Sequence, residues 1–376
     1  MTDVPLKAPE EQSELFGHEA AEQLFLQAIR NNTIDGSWLI CGPKGVGKAT
    51  LAFRLARFLL SEEKNDGGLF GETPSSLAIS EADAVFKAVA QRSSPALKVI
   101  ECALKPDELK ARQKLLENGE FLDPAVEKER KRFSEIRIDD IREAEAFMHL
   151  TTGAGKKRVL IIDVADDMNV HAANALLKSL EEPPPETVLL LLSHAPGKLL
   201  PTIRSRCRKV ILKPLENNML DGFLKVYCPH LTQGERHALT LLAEGSAGKA
   251  LTLADCDGIG LFVGMTDLLA NFPRISVPKL YDMADKLYKD KTRFQLLQDL
   301  FVQWMTRICV LSQTGGNFDE IIPGEADIVR RICRFVPTLS LMDMLGDITA
   351  AFADIDLDRK QVFVNAVLKL QRGANA

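Results

Sequence analysis

Over the first 213 residues, short apolar runs alternate with longer stretches of helical period or mixed polarity. Five runs have strand length: Ser37–Cys41, Ala96–Glu101, Arg158–Asp163, Thr187–Ser193 and Arg208–Lys213. Their apolar residues are largely consecutive, the pattern of strands buried on both faces. Such strands joined through helical segments predict an α/β fold, a parallel sheet covered by helices. From Lys213-Pro214 onward the strand signal fades. Residues 214–258 read as a small helical unit and 259–376 as a larger all-helical domain. In the latter, Leu297, Leu300, Phe301, Trp304 and Ile308 share one helical face, and Gly315-Gly316 breaks that helix. Phe363, Val367 and Leu370 form a second stripe, and both stripes are read as packing surface.

One stretch departs from this pattern. Residues 102–143 are a charged insertion in which Glu127-Lys-Glu-Arg-Lys-Arg132 alternates sign, as a solvated surface segment does. The whole chain of 376 residues is 46% hydrophobic and 26% charged, an ordinary globular balance, and its net charge is −5. Any contact with nucleic acid therefore has to come from a local patch, which weighs against a standalone DNA-binding protein. Seven cysteines, at 41, 102, 207, 228, 256, 309 and 333, show no CxxC spacing. No metal site and no zinc are expected from them, and they suit a reducing cytoplasm. The polar N-terminus lacks the apolar segment of a secretory signal. No apolar run reaches the ~18 residues of a membrane helix, so a cytoplasmic chain with no membrane partner is expected.

The chemistry begins at Gly42-Pro-Lys-Gly-Val-Gly-Lys48, which follows a predicted strand and precedes a helix, the context that G-x-x-x-x-G-K requires. Gly42, Gly45 and Gly47 let backbone N–H groups turn in on phosphate oxygens, and the helix N-terminus adds positive potential. Lys48 would reach the β and γ phosphates. The next position calls for a hydroxyl to bind Mg²⁺, but it is Ala49; Thr50 comes one residue late, turned ~100° away on a helix. Val159–Asp163 is a strand ending in an acid suited to support Mg²⁺, and it is followed by Val164, which has no proton-accepting group. Losing positioning groups of this kind slows chemistry by ~10²–10³-fold or more.

Further on, Asp166-Asp-Met-Asn-Val-His-Ala-Ala-Asn-Ala-Leu-Leu-Lys-Ser-Leu-Glu-Glu-Pro-Pro184 and Pro201-Thr-Ile-Arg-Ser-Arg-Cys207 flank a predicted strand. The first block is a helix with Asn169 as its cap, an apolar face of Val170, Ala173, Leu176, Leu177 and Leu180, and a proline stop. With Leu15-Phe-Gly-His18 and the phosphate loop, the pair closely resembles bacterial DNA polymerase III clamp-loader subunits of the AAA+ superfamily, over about residues 15–213. The resemblance implies an AAA+ P-loop domain over 1–213, a helical lid over 214–258 and an all-α collar over 259–376. In AAA+ enzymes a Glu follows the acid of the second motif, so Ala49 and Val164 are both departures. The sensor-2 arginine expected near Gly245-Ser246 is replaced by Gly248, with Lys249 one position off. The four-cysteine zinc module of many relatives is missing, since residues 51–95 hold no cysteine.

In this family the Arg of Ser205-Arg206-Cys207 acts in trans on ATP bound by a neighbour, so the resemblance makes Arg206 an arginine finger. A damaged site beside an intact Ser-Arg-Cys motif is the pattern of the non-hydrolysing delta-prime members. The resemblance thus implies a subunit without ATPase activity of its own within the polymerase III holoenzyme. It would sit at one end of a hetero-oligomeric ring with the ATPase subunits and the delta subunit, loading a sliding clamp on primed DNA during replication. No cofactor is required in that role, and residual ATP or ADP binding without hydrolysis stays open. The alternative is an active clamp-loader ATPase that uses Lys48 and Asp163, with Asp166 or another acid as base.

Overall fold

The computed structural model describes residues 7–61, 74–117, 130–149, 157–314, 319–353 and 357–374. The expected break at Gly315-Gly316 and the start of the Glu127–Arg132 run lie outside them. The chain divides into two compact units, one of residues up to Leu215 and one from Glu216 onward.

The first unit is built on β1 (Gly36–Cys41), β2 (Leu97–Ile100), β3 (Arg158–Asp163), β4 (Thr187–Ser193) and β5 (Arg208–Ile211). All five pair in parallel, in the order β2-β3-β4-β1-β5. Each lies within two residues of its predicted bounds. Its helices are α1 (Glu19–Arg30), α2 (Lys48–Leu60), α3 (Ala84–Ala90), α4 (Pro106–Glu117), α5 (Ile138–Met148), α6 (Val170–Glu181) and α7 (Pro201–Arg206). Successive strand residues point to opposite faces. Trp38, Ile40, Val159, Ile161, Val188 and Leu190 join the core with α1, α2 and Val89 of α3. Leu39, Leu160, Ile162, Leu189 and Leu191 join the core with α5, α6 and Ile203 of α7. Covering both faces removes any need for a polar position, which is why these strands read as unbroken apolar runs. Leu189, Leu190 and Leu191 are fully buried, each burial stabilising by about 1.5–3 kcal/mol.

The charged stretch ends earlier than its composition suggests. Ile136 and Ile141 are fully buried, and Ala144, Phe147 and Met148 complete the inner face of α5. α6 starts as expected: the Asn169 side chain accepts from the Ala172 N–H at 2.9 Å. Its buried face is Ala172, Ala173, Leu176, Ser179 and Leu180. Val170 is 63% exposed instead, because the first residue of a helix tilts its side chain back off the helix end.

The second unit holds α8 (Asn217–Tyr227), α9 (Gln233–Ala243), α10 (Ala247–Asp255), α11 (Gly258–Leu269), α12 (Val277–Tyr288), α13 (Lys291–Thr314), α14 (Glu325–Phe335), α15 (Thr338–Ala353) and α16 (Arg359–Gly373). No strand occurs in it among the described residues. Leu297, Leu300, Phe301, Trp304 and Ile308 of α13 are all fully buried, and Phe301 meets Phe363 of α16 edge to face. Trp304 Nε1 donates to Glu325 Oε1 at 2.9 Å, while Glu325 Oε2 accepts from the Ile321 N–H at 2.6 Å. Gln303 crosses the expected lid and collar boundary, accepting from Lys249 Nζ at 2.8 Å and donating to the Leu242 carbonyl at 3.0 Å.

Candidate functional site

The phosphate loop leaves the carboxyl end of β1, where ligands of open α/β sheets bind, and runs into α2. Gly47 is the N-cap with φ +112°, and a Cβ there would stand 3.1 Å from Leu15 Cδ1. A Cβ on Gly42 would stand 2.5 Å from the Leu212 carbonyl oxygen. Both positions admit only glycine without a shift of their neighbours. The Leu15–His18 segment packs over this loop: buried His18 brings Nε2 to 2.8 Å from the Val46 carbonyl. Burial holds the His18 imidazole below its usual pKa.

Lys48 Nζ donates to the carbonyls of Gly42 and Pro43, both at 2.7 Å. Burial lowers its pKa to about 8, against the opposing pull of Asp163 and Asp166. Asp163, at the carboxyl end of β3, is raised by burial to about 6, with Glu101 pushing the same way and Lys48 opposing. Ala49 packs against the core beneath α2, and half-buried Thr50 follows it on the helix. The glycine loop and helix start suit a phosphate group, but the side-chain hydroxyl that Mg²⁺ would take is missing. Among the described residues, no three His, Cys, Asp or Glu side chains are arranged to hold a metal ion.

Asp166 is already committed. Its Oδ1 accepts from Ser193 Oγ at 2.6 Å, and its Oδ2 accepts from the N–H groups of His194 and Ala195 at 2.5 and 3.1 Å. The carboxylate thus clamps the tip of β4 beside the phosphate loop and is poorly placed to take a proton from water. Lys249 of α10 is likewise engaged, by Glu244 at 3.4 Å and by Gln303.

Arg206 lies at the opposite end of the strands, just before β5, the neighbour of β1. β5 pairs with β1 in the register Trp38↔Arg208 to Cys41↔Ile211, so Arg206 sits two residues before the strand, level with the start of β1. Six residues of strand rise separate that level from Gly42, roughly 20 Å. Arg206 is exposed; its Nη2 pairs with Glu181 Oε1 at 2.5 Å and its Nη1 donates to the Thr202 carbonyl at 3.0 Å. Ser205 Oγ donates to the same carbonyl at 3.1 Å. Cys207 faces inward and is buried, its thiol raised by burial to about 12, which makes it core rather than reactive.

The phosphate loop, the acid-ended β3 and an exposed arginine at the other end of the strands lie within one matched span. The family model described as DNA polymerase III, delta subunit matches residues 17–216. The chain belongs to that family. Among curated proteins, DNA polymerase III subunit delta' of Pseudomonas aeruginosa is 36% identical over 171 residues, 46% of this chain and 41% of the relative. DNA polymerase III subunit tau/gamma of Haemophilus influenzae is 26% identical over 328 residues, 86% of this chain and 41% of that one. The chain thus spans about two-fifths of the length of these relatives. Among solved structures, a DNA polymerase III gamma subunit-related protein of Thermotoga maritima superposes with a TM-score of 0.42 at 16% identity, covering 93% of this chain and 99% of that one. No single helix among the described residues of this family member is long and apolar enough to cross a membrane.

The sequence brings Gly42, Gly45, Gly47, Lys48 and Asp163 to attention as one group, and the fold gathers them at one end of the sheet. Sequence reasoning missed the clamp of Asp166 on Ser193–Ala195. The signal was a second acid just after the strand-ending Asp163, although its partners lie 27 to 29 residues away.

Proposed function

We propose that this chain is the delta-prime subunit of a DNA polymerase III clamp loader, lending Arg206 to ATP held by an adjacent subunit. It does not hydrolyse ATP at its own loop. In this role it works in the cytoplasm within a hetero-oligomeric ring with the ATPase and delta subunits, a sliding clamp and primed DNA. The observation that carries this is the separation of Arg206 from its own phosphate loop, roughly 20 Å along the sheet. An exposed cation at the opposite end of the strands is out of reach of its own nucleotide site, which supports a use at a neighbour's. The missing hydroxyl at Ala49, the missing acid at Val164 and the engagement of Asp166 weigh against the active-ATPase alternative. In a neighbour's site a guanidinium stabilises charge on the transferred phosphoryl group, an effect worth ~10³–10⁵ in rate for GTPase arginine fingers.

The test is DNA- and clamp-stimulated ATP hydrolysis by the reconstituted complex with wild type or Arg206→Ala. A large fall with assembly intact is expected. An unchanged rate in an intact complex removes the trans role. ATP hydrolysis by the isolated wild-type chain would revive the active-ATPase alternative.

A further inference from the structure

We infer that Glu181 is the positioning residue for Arg206, fixing its guanidinium in the orientation that meets the neighbour's nucleotide; this rests on the trans role just proposed. Glu181 ends α6 and Arg206 ends α7, so two helix ends bring their last side chains together. The contact uses Nη2, and the Thr202 carbonyl takes a proton of Nη1. A guanidinium has five N–H donors in a planar fork, so three remain for phosphate oxygens while two hold the plane.

The placement is hard to explain by stability. The Glu181 side chain is 51% exposed and that of Arg206 34%, and exposed ion pairs add little to a fold. Glu181 also sits in the last turn of its helix, where a negative charge opposes the helix dipole. A residue set against its local preference and turned toward one functional side chain is what a site, rather than a core, selects. The run Pro183-Pro184-Pro185 ends α6 directly after Glu181 and Glu182 and so fixes where the carboxylate stands. A long, flexible arginine that arrives already oriented loses less freedom in the transition state, and the gain falls on kcat rather than on nucleotide binding.

The experiment uses the reconstituted, clamp- and DNA-stimulated complex with wild type, Glu181→Ala, Glu181→Gln and Arg206→Ala in parallel. Steady-state ATPase kinetics, complex assembly and the melting curve of each variant are recorded. Glu181→Ala is expected to lower kcat about tenfold while KM for ATP stays within about twofold, because only transition-state contacts are lost. Glu181→Gln keeps an acceptor oxygen and is expected to retain more than about half the activity. Assembly and melting are expected to match wild type in both. If Arg206→Ala is impaired while Glu181→Ala equals or exceeds wild type, the positioning role is wrong and the trans arginine stands. If Glu181→Ala also loses assembly or melts lower, the pair is structural and the inference fails. If Arg206→Ala itself is silent, the underlying functional proposal falls.

Discussion

Replacing Asp166 with Ala removes three hydrogen bonds at once, from Ser193 Oγ and from the N–H groups of His194 and Ala195. Hydrogen bonds to a charged group contribute about 1.5–3 kcal/mol each, and donors left without a partner add their own desolvation cost. Asp166 is only partly buried, and water can reach some of these groups, so the three together are worth about 3–5 kcal/mol. For a unit of roughly 200 residues, each kcal/mol moves the melting temperature by ~2–4 °C. The transition of the first unit, followed by calorimetry on the full chain, should therefore fall by about 6–20 °C. Asp167→Ala is the control, because the carboxylate of that neighbouring exposed acid meets Cys102 Sγ at a long 3.8 Å. A shift under about 2 °C for Asp166→Ala would falsify the clamp. An unshifted variant that had lost an ATPase activity seen in wild type would make Asp166 the base of an active enzyme instead.

Gly47→Ala forces a side chain into left-handed backbone and against Leu15, so a loss of about 1–3 kcal/mol is expected in denaturant titrations; wild-type stability would show the loop to be freer than its geometry implies. Asp163 rises from 3.8 to about 6, so the folded state keeps a proton the unfolded chain has lost, and stability falls as pH rises through that window. A rise of that size corresponds to ~3 kcal/mol, reduced to about 1–2 by partial exposure. Asp163→Asn should gain that much on wild type between pH 4 and pH 7 in denaturation midpoints, and a pH-independent difference would refute the assignment. Glu325→Gln leaves one acceptor for the two donors Trp304 Nε1 and Ile321 N–H, so the second unit should lose about 2–4 kcal/mol, read from the fluorescence of Trp304 on unfolding. An unchanged midpoint would mean that water replaces the lost acceptor.

The strands were legible because a sheet covered on both faces leaves a continuous apolar signature, and the α13 face was legible because Leu297 to Ile308 keep helical spacing through one core. Strand order was not, since nothing local records that β1 lies between β4 and β5. The end of the charged insertion was blurred because Ile136 and Ile141 are isolated among charges, although both are fully buried. Val170 misled because periodicity carries no information on whether a helix's first turn is packed. The phosphate-loop residues could be found by motif, whereas the engagement of Asp166 and the pairing of Arg206 with Glu181 depend on residues brought together from distant parts of the chain.

The phosphate loop stands at the carboxyl end of β1 and Arg206 at the amino end of the neighbouring β5, and this gives the sheet a direction. Under the trans role proposed for Arg206, stacking in a repeated sense, the arginine end of one protomer on the loop end of the next, generates an open row or a ring. A protomer with a worn front and a working back can complete the protomer ahead of it while asking nothing of one behind. If Arg206 acts in trans as proposed, such a protomer suits the end of a directional array.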